Sequence, residues 1–429
     1  MLAKLSTTPG ADSLEQRKEK IALLIKLHVQ HIQHIVIMKR RRSQQRAQRR
    51  LRMLRTFFMQ QMMQLQTQYV QMFTLLRKKH LALRAAAPTP MRMEFLEEAM
   101  QNYDDDMFLN TFHVTRPTFK WLCTKLTPSL SKVGELKKSQ FPISPQKCIA
   151  LALYFLASGE PLSMISERCG LINRRIIKCI KIFCTVLVRG LGRYLQLLPQ
   201  TVEDCDNVVA GFQRESNMPP ALVGILGVCI VEKRQTPGTL LRMEYLLDDR
   251  MNFRELQLSS GSRMPPSPMY SQPPNALTRL PRRCINEHMV SPFVLAPLNQ
   301  KFPLRPWLLQ RYQNPSAPYE YHFNEVAEHL HELSDCALHR LASRWRFLSE
   351  PLDICFGTAF TVITGACVLH NMLEEMGEPH MLEWGNTVDV TRMKPMPFIP
   401  QTDTSEEAEQ ARDVRDFLAR TIRSTPTEI

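Results

Sequence analysis

Between Ser13 and Arg84 the chain contains neither proline nor glycine, and that absence constrains its fold more than any single motif. The two residues that most readily break a helix are missing over several times the length of an ordinary one. Ser13-Leu14-Glu15-Gln16 sets a hydroxyl cap ahead of a glutamine, a helix-start pattern, so a long helix from there to about Arg84 is expected. Its apolar residues, Ile21, Leu24, Ile25 and Leu27, then Ile32, Ile35 and Ile37, and later Phe57, Met62, Leu65, Tyr69, Met72 and Leu76, keep mixed three- and four-residue spacing without a clean heptad. One face is greasy and suited to pairing with another helix, which points to self-association.

The same stretch carries the chain's charge. From Lys39 to Met93 there is no Asp or Glu, while fourteen Lys and Arg residues fall there, equal to the whole formal net charge of +14. A block of one sign repels itself and seeks a polyanion: nucleic acid, an acidic protein or an anionic membrane. Lys39, Arg40, Arg41, Arg42, Arg46, Arg49, Arg50 and Arg52 read as an import signal or a phosphate-binding stripe, pointing to the nucleus and to DNA. The bland reading, a solvated basic helix face, lacks the acids that would balance it. Membrane-surface binding is disfavoured by the Gln-rich segment 60–68, and the longest apolar runs fall short of the roughly 18–20 residues of a span. The eleven cysteines form no CxxC pair and no zinc spacing, and there is no N-terminal signal-peptide pattern, so a soluble intracellular protein with buried thiols is expected.

Ala85-Ala86-Ala87-Pro88-Thr89-Pro90 closes this arm, residues 1–90. With 44% hydrophobic residues over 429, the remainder can bury a real core. Residues 91–200 read as helical: Thr115 caps a helix carrying Trp121, Ser144-Pro145 opens a nearly continuous apolar one, and Lys181–Leu198 forms another before Pro199. Pro161–Gly170 followed by Leu171–Ile180 has the rhythm of helix, glycine turn, helix. In a helix-turn-helix reading Ile165, Cys169, Leu171, Ile176 and Ile180 pack inward, and Asn173, Arg174, Arg175 and Lys178 face DNA. Helical hairpins without that role are equally common.

From residue 207 to 378 the pattern becomes α/β. Ala221–Val231 is a β-branched run suited to a buried central strand, and Leu240–Leu247, a turn at 248–252 and Phe253–Leu258 read as a hairpin. Phe293–Leu295 is a further short apolar stretch, and helices follow at about Phe323–Phe347 and Cys355–Met376. The tail, 379–429, is Pro-rich with a last helix near Ser405–Ile422, capped by Thr404.

The order of these pieces resembles the Harbinger-type DDE transposases and the nuclease domesticated from them, over roughly residues 105–425. The resemblance rests on Phe212 with Pro219–Ile225, on Gly261-Ser262, on Phe302–Tyr312 with Asn314-Pro315, on Leu341–Phe347 and on Val368–Asn371. It implies a partly degraded RNase H-like transposase core, preceded by a helix-turn-helix-like helical domain and the basic arm. In such a core several carboxylates neutralise two Mg²⁺ or Mn²⁺ ions about 4 Å apart, so that one activates water and the other steadies the leaving oxygen. The resemblance puts Leu226, Pro265 and Asn299 where the family has acids, and leaves Asp335 as the acid on the long helix.

A catalytically silent DNA-binding or protein-interaction factor without a metal is therefore expected, and the resemblance implies a Myb-like protein partner. A metal-dependent endonuclease with displaced ligands, using Mg or Mn, is the alternative. Glu232 shares the face of Leu226 but lies about 20 Å away along the strand. Asp335 reads more simply as a surface acid paired with Arg340, and His370-Asn371 as a buried, hydrogen-bonded structural pair.

Overall fold

The computed structural model describes residues 19–40 and scattered positions up to 64, then 94–137, 142–195, 199, 201–216, 218–234, 240–261, 275–298, 302–393 and 405–422. The chain separates into two compact units, Met1–Pro90 and Met91–Ile429. In the first, α1 (Glu19–Arg40) is a helix exposed throughout, Ile21, Leu24, Ile25, Ile32 and Ile35 included. The rest of the expected long helix falls mostly outside the described residues.

In the second unit α2 (Glu94–Gln101) leads to α3 (Asp105–Phe112), whose cap Asp104 accepts from the Met107 N–H at 2.7 Å. α4 (Arg116–Leu130) is capped by Thr115 and followed by the single turn α5 (Gly134–Lys137). Ser144 starts α6 (Pro145–Ser158), every residue of which from Cys148 to Ala157 is buried. α7 (Leu162–Cys169) ends at Gly170, which takes the left-handed φ of 62° that a helix stop favours. α8 runs unbroken over Asn173–Leu191. The separate helix expected from Lys181 is therefore the second half of α8: nothing at 181 caps or breaks a helix, whereas Gly190 and Gly192 lie where it ends. α9 (Val202–Glu215) follows, capped by Thr201.

The sheet is built from β1 (Leu222–Glu232), β2 (Leu240–Leu247) and β3 (Phe253–Gly261), an antiparallel meander, extended beyond β1 by two parallel strands. α10 (Asn275–Arg279) and a small hairpin of β4 (Arg283–Ile285) and β5 (His288–Val290) intervene before those strands, β6 (Phe293–Leu295) and β7 (Leu308–Leu309). The order β3-β2-β1-β6-β7 makes β1 the central strand, as its buried run predicts. α11 (Pro318–Arg344) and α12 (Phe356–Glu375) are the long helices, and α13 (Glu406–Thr421) closes the chain. Its cap is Ser405, which accepts from the Ala408 N–H at 3.3 Å, one residue later than the expected Thr404.

One buried cluster joins α6, α8 and α12 to the Cys229–Val231 end of β1 and to β2, so the helical stretch and the sheet share a core. A second cluster packs α11 and α13 against Leu222, Ile225 and Leu295, and a third lies on the opposite sheet face under α9 and α10. By length and mean composition α1 and α12 are each long and apolar enough to cross a membrane, although a few polar residues interrupt their apolar runs. α12, 72% buried across its apolar window, is a core helix of its unit. Three cysteines, Cys284, Cys336 and Cys355, are exposed where buried thiols were expected.

Candidate metal site and nucleic-acid interface

Side chains alternate between faces along a strand, so a metal ligand on β1 works only from the face that meets α11. That face carries Ile225, Gly227 and Cys229. Ile225 packs with Phe323, Ala327 and Leu330 of α11. Leu226 points the other way, into the cluster with Cys205 and Val209 of α9, Leu246, Val294 and Leu308. The resemblance had made Leu226 the lost acid; the β1 position that looks toward α11 is its neighbour, Gly227.

Gly227 is covered by Tyr245, its cross-strand partner on β2, and a Cβ built on Gly227 would overlap the tyrosine ring. The Tyr245 hydroxyl lies 3.5 Å from Ser334 Oγ on α11, next to Asp335. Burial foremost pushes that hydroxyl's pKa up, and the charges of Cys229 and Asp335 add to it. An aromatic ring therefore fills the gap between β1 and α11 where a β1 carboxylate would otherwise project. A glycine inside a β-branched run signals a close approach of this kind, and it is the clue in the sequence to this arrangement.

Asp335 is half-buried on α11. Arg340, its expected partner, instead gives Nη2 to both carboxylate oxygens of Glu374 on α12, at 2.8 and 2.7 Å. Five residues on along α11, Arg340 meets α12, and Glu374 holds it there. Pro265 and Asn299 lie outside the described residues. Among the described residues no three His, Cys, Asp or Glu side chains converge as metal ligands. The buried acids of the hairpin are used structurally. Glu244 pairs with Arg242 at 2.6 Å, while Asp248 accepts from the Arg250 and Asn252 N–H groups and from Arg254.

The His370-Asn371 reading holds for one of the two. Asn371 Oδ1 accepts from the Phe253 N–H at 2.9 Å, and its Nδ2 donates to the Phe253 and Tyr194 carbonyls at 2.7 Å each, tying α12 to the outer strand and to the end of α8. His370 is fully buried, edge-on to Phe253, with neither ring nitrogen hydrogen-bonded, and burial lowers its pKa to about 4.

On the helical side α7, Gly170 and α8 form a helix, turn and helix, with Ile165, Cys169, Leu171, Ile176 and Ile180 buried as expected. Asn173, Arg174 and Lys178 are exposed at the start of α8 and Arg175 is half-buried. In the arm, Lys39, Arg40 and Arg50 are exposed on helix; Arg41, Arg42, Arg46 and Arg49 lie outside the described residues.

With this geometry in view, two relatives stand out. The chain is 20% identical over 286 residues to a Xenopus laevis protein named "Putative nuclease HARBI1", covering 64% of this chain and 79% of that protein. It is a relative of Harbinger transposase-derived proteins. The second, "Protein ALP1-like" of Arabidopsis thaliana, is 22% identical over 302 residues, covering 64% of this chain and 72% of its own. No family model matches the chain. No solved structure matches it. This Harbinger relative thus joins a mixed α/β core to a site whose β1 position is glycine under tyrosine.

Proposed function

We propose that this Harbinger relative is a catalytically silent, transposase-derived nuclear protein that binds DNA. The observation that carries the reading is the Tyr245 ring packed on Gly227 against α11. Two-metal phosphodiester chemistry needs several carboxylates converging on one point, and here the central-strand position that would supply one is occupied by a buried aromatic ring. An antiparallel meander extended by two parallel strands, with a long helix across one face, supports an RNase H-like core that has kept its packing and not its ligands. DNA contact is supported by the acid-free arm and by the exposed cations of α8. The arm's basic run suits nuclear import. Self-association through α1 and a Myb-like protein partner complete the proposal, the latter from the resemblance alone. Neither a metal cofactor nor a membrane is part of this reading.

The test is incubation of the purified full chain with supercoiled DNA and Mg²⁺ or Mn²⁺. No metal-dependent nicking is expected. Nicking that disappears in Asp335→Ala would overturn catalytic silence, and absence of any duplex binding would overturn the DNA role.

A further inference from the structure

Two of the long helices lie side by side and parallel. A Cβ on Gly365 of α12 would sit 3.1 Å from the Cys184 side chain of α8, and Asn371, further along α12, donates to the Tyr194 carbonyl just past the end of α8. Residue numbers rise together along both, so the exposed start of α8 and the start of α12 open on the same surface. α8 carries five cations and no acid over its nineteen residues. Arg174, Lys178 and Lys181 form one exposed row at i, i+4 and i+7, about 10 Å long, and Arg189 continues it on the same side of the helix.

The row does not stop at α8. Lys181 is near enough to Cys355, the cap of α12, for its charge to bear on that thiol. Lys233, at the end of β1, sits with its ammonium 5.6 Å from the Phe356 ring, the first residue of α12. Of the acids near it, Glu350 and Asp353 are engaged by Arg234 at 3.7 and 3.1 Å, and Glu232, the preceding residue, is exposed. Two elements distant in sequence, α8 and the end of β1, therefore bring cations to the start of α12.

We infer that the α8 row, continued through Lys181 to Lys233 beside the start of α12, is a track for the phosphate backbone of a nucleic-acid duplex. The inference rests on the proposed DNA role and extends it beyond the start of α8. Cations at one-turn spacing on a rigid helix match a regularly repeating anion better than they match the irregular charges of an acidic peptide. The track carries affinity without reading base sequence.

The test measures binding of the full chain to a labelled duplex oligonucleotide over a series of salt concentrations, for wild type, Lys181→Glu/Lys233→Glu and an arm variant, Arg40→Gln/Arg41→Gln/Arg42→Gln. Each lost phosphate contact removes about 0.9 from the slope of log affinity against log salt. The track variant is expected to lose nearly two units of slope and about tenfold or more in affinity, with an unchanged melting temperature. Lys181→Gln/Lys233→Gln, a milder change, should show the same trend if the charge reversal unfolds the chain. Wild-type slope and affinity in both track variants, with binding lost in the arm variant, would overturn the track and leave the DNA role standing. Absence of duplex binding by wild type would overturn both. Displacement of the duplex by poly-glutamate as effectively as by unlabelled duplex would make the surface a site for acidic protein and overturn the track.

Discussion

His113 and Arg344, 231 residues apart, exchange hydrogen bonds: the imidazole Nδ1 donates to the Arg344 carbonyl at 2.6 Å and the guanidinium Nη1 donates to the His113 carbonyl at 3.0 Å. His113 ends α3 with a φ of 54° and stacks on Trp384 at 4.0 Å, while Arg344 ends α11, fully buried, and reaches the Pro379 carbonyl at 3.1 Å. The pair fastens the first helices of the second unit to the far end of α11. Carbonyls hold this cation, and burial lowers its pKa to about 10.

Removing that guanidinium would take the donor from the His113, Glu378 and Pro379 carbonyls in a closed site. Arg344→Ala is expected to cost on the order of 3–5 kcal/mol, read from denaturant unfolding. Arg344→Lys keeps the charge but cannot reach several acceptors from one planar group, so it should recover only part of the loss. A loss below about 1 kcal/mol for the alanine variant would mean the fastening is unimportant.

The buried histidines make the unit sensitive to acid. Burial lowers His113 to about 3, against the opposing hydrogen bond to the Arg344 carbonyl, and His370 and His380 to about 4, with the charge of Arg344 acting in the lowering direction on each. In the unfolded chain each titrates near 6.5, so below that pH the unfolded state binds protons that the folded state refuses. Stability present above pH 6.5 should fall as pH drops toward 4, and His370→Phe should flatten the fall. A melting temperature unchanged between pH 7 and 4.5 would contradict the burial of these rings.

Gly227 and Tyr245 give the filled site a direct check. Gly227→Ala pushes a methyl into the tyrosine ring and should destabilise by about 2 kcal/mol, in the range of overpacked cores. Gly227→Ala in a Tyr245→Ala background should cost much less, because the ring it would strike is gone. Full additivity in this double-mutant cycle would mean that the two residues do not touch.

What could be read in advance follows from the range of the forces involved. Caps at Thr115 and Ser144, the hairpin and the buried strand β1 depend on neighbours a few residues away, and they sit where the sequence puts them. The resemblance put a lost acid at Leu226, and in the structure Leu226 faces α9 while Gly227 beside it faces Tyr245. On a strand that single step changes which face is meant. The Arg340 to Glu374 pair and the approach of Lys181 and Lys233 to the start of α12 were beyond reach, since both depend on how separate elements cross in space. Arg340 with Asp335 was the local choice, and the packing of α11 on α12 supplied a better one.

Asp249 provides a pH effect of opposite sign. Its carboxylate packs against Gly211 of α9, occupying the space a Cβ there would take, and burial together with the charge of Asp248 raises its pKa to about 6. A folded pKa above the unfolded value means the folded state is favoured by protonation: stability is fully present below the unfolded carboxylate range and is lost as pH rises through about 6. Asp249→Asn keeps the shape without the charge, so it should stabilise by roughly 1–2 kcal/mol at pH 7.5 and by almost nothing at pH 4. Gly211→Ala should destabilise at both values, because its obstacle is the volume of the side chain whatever its charge. Equal effects of Asp249→Asn at the two pH values would show that the buried carboxyl does not titrate in this range.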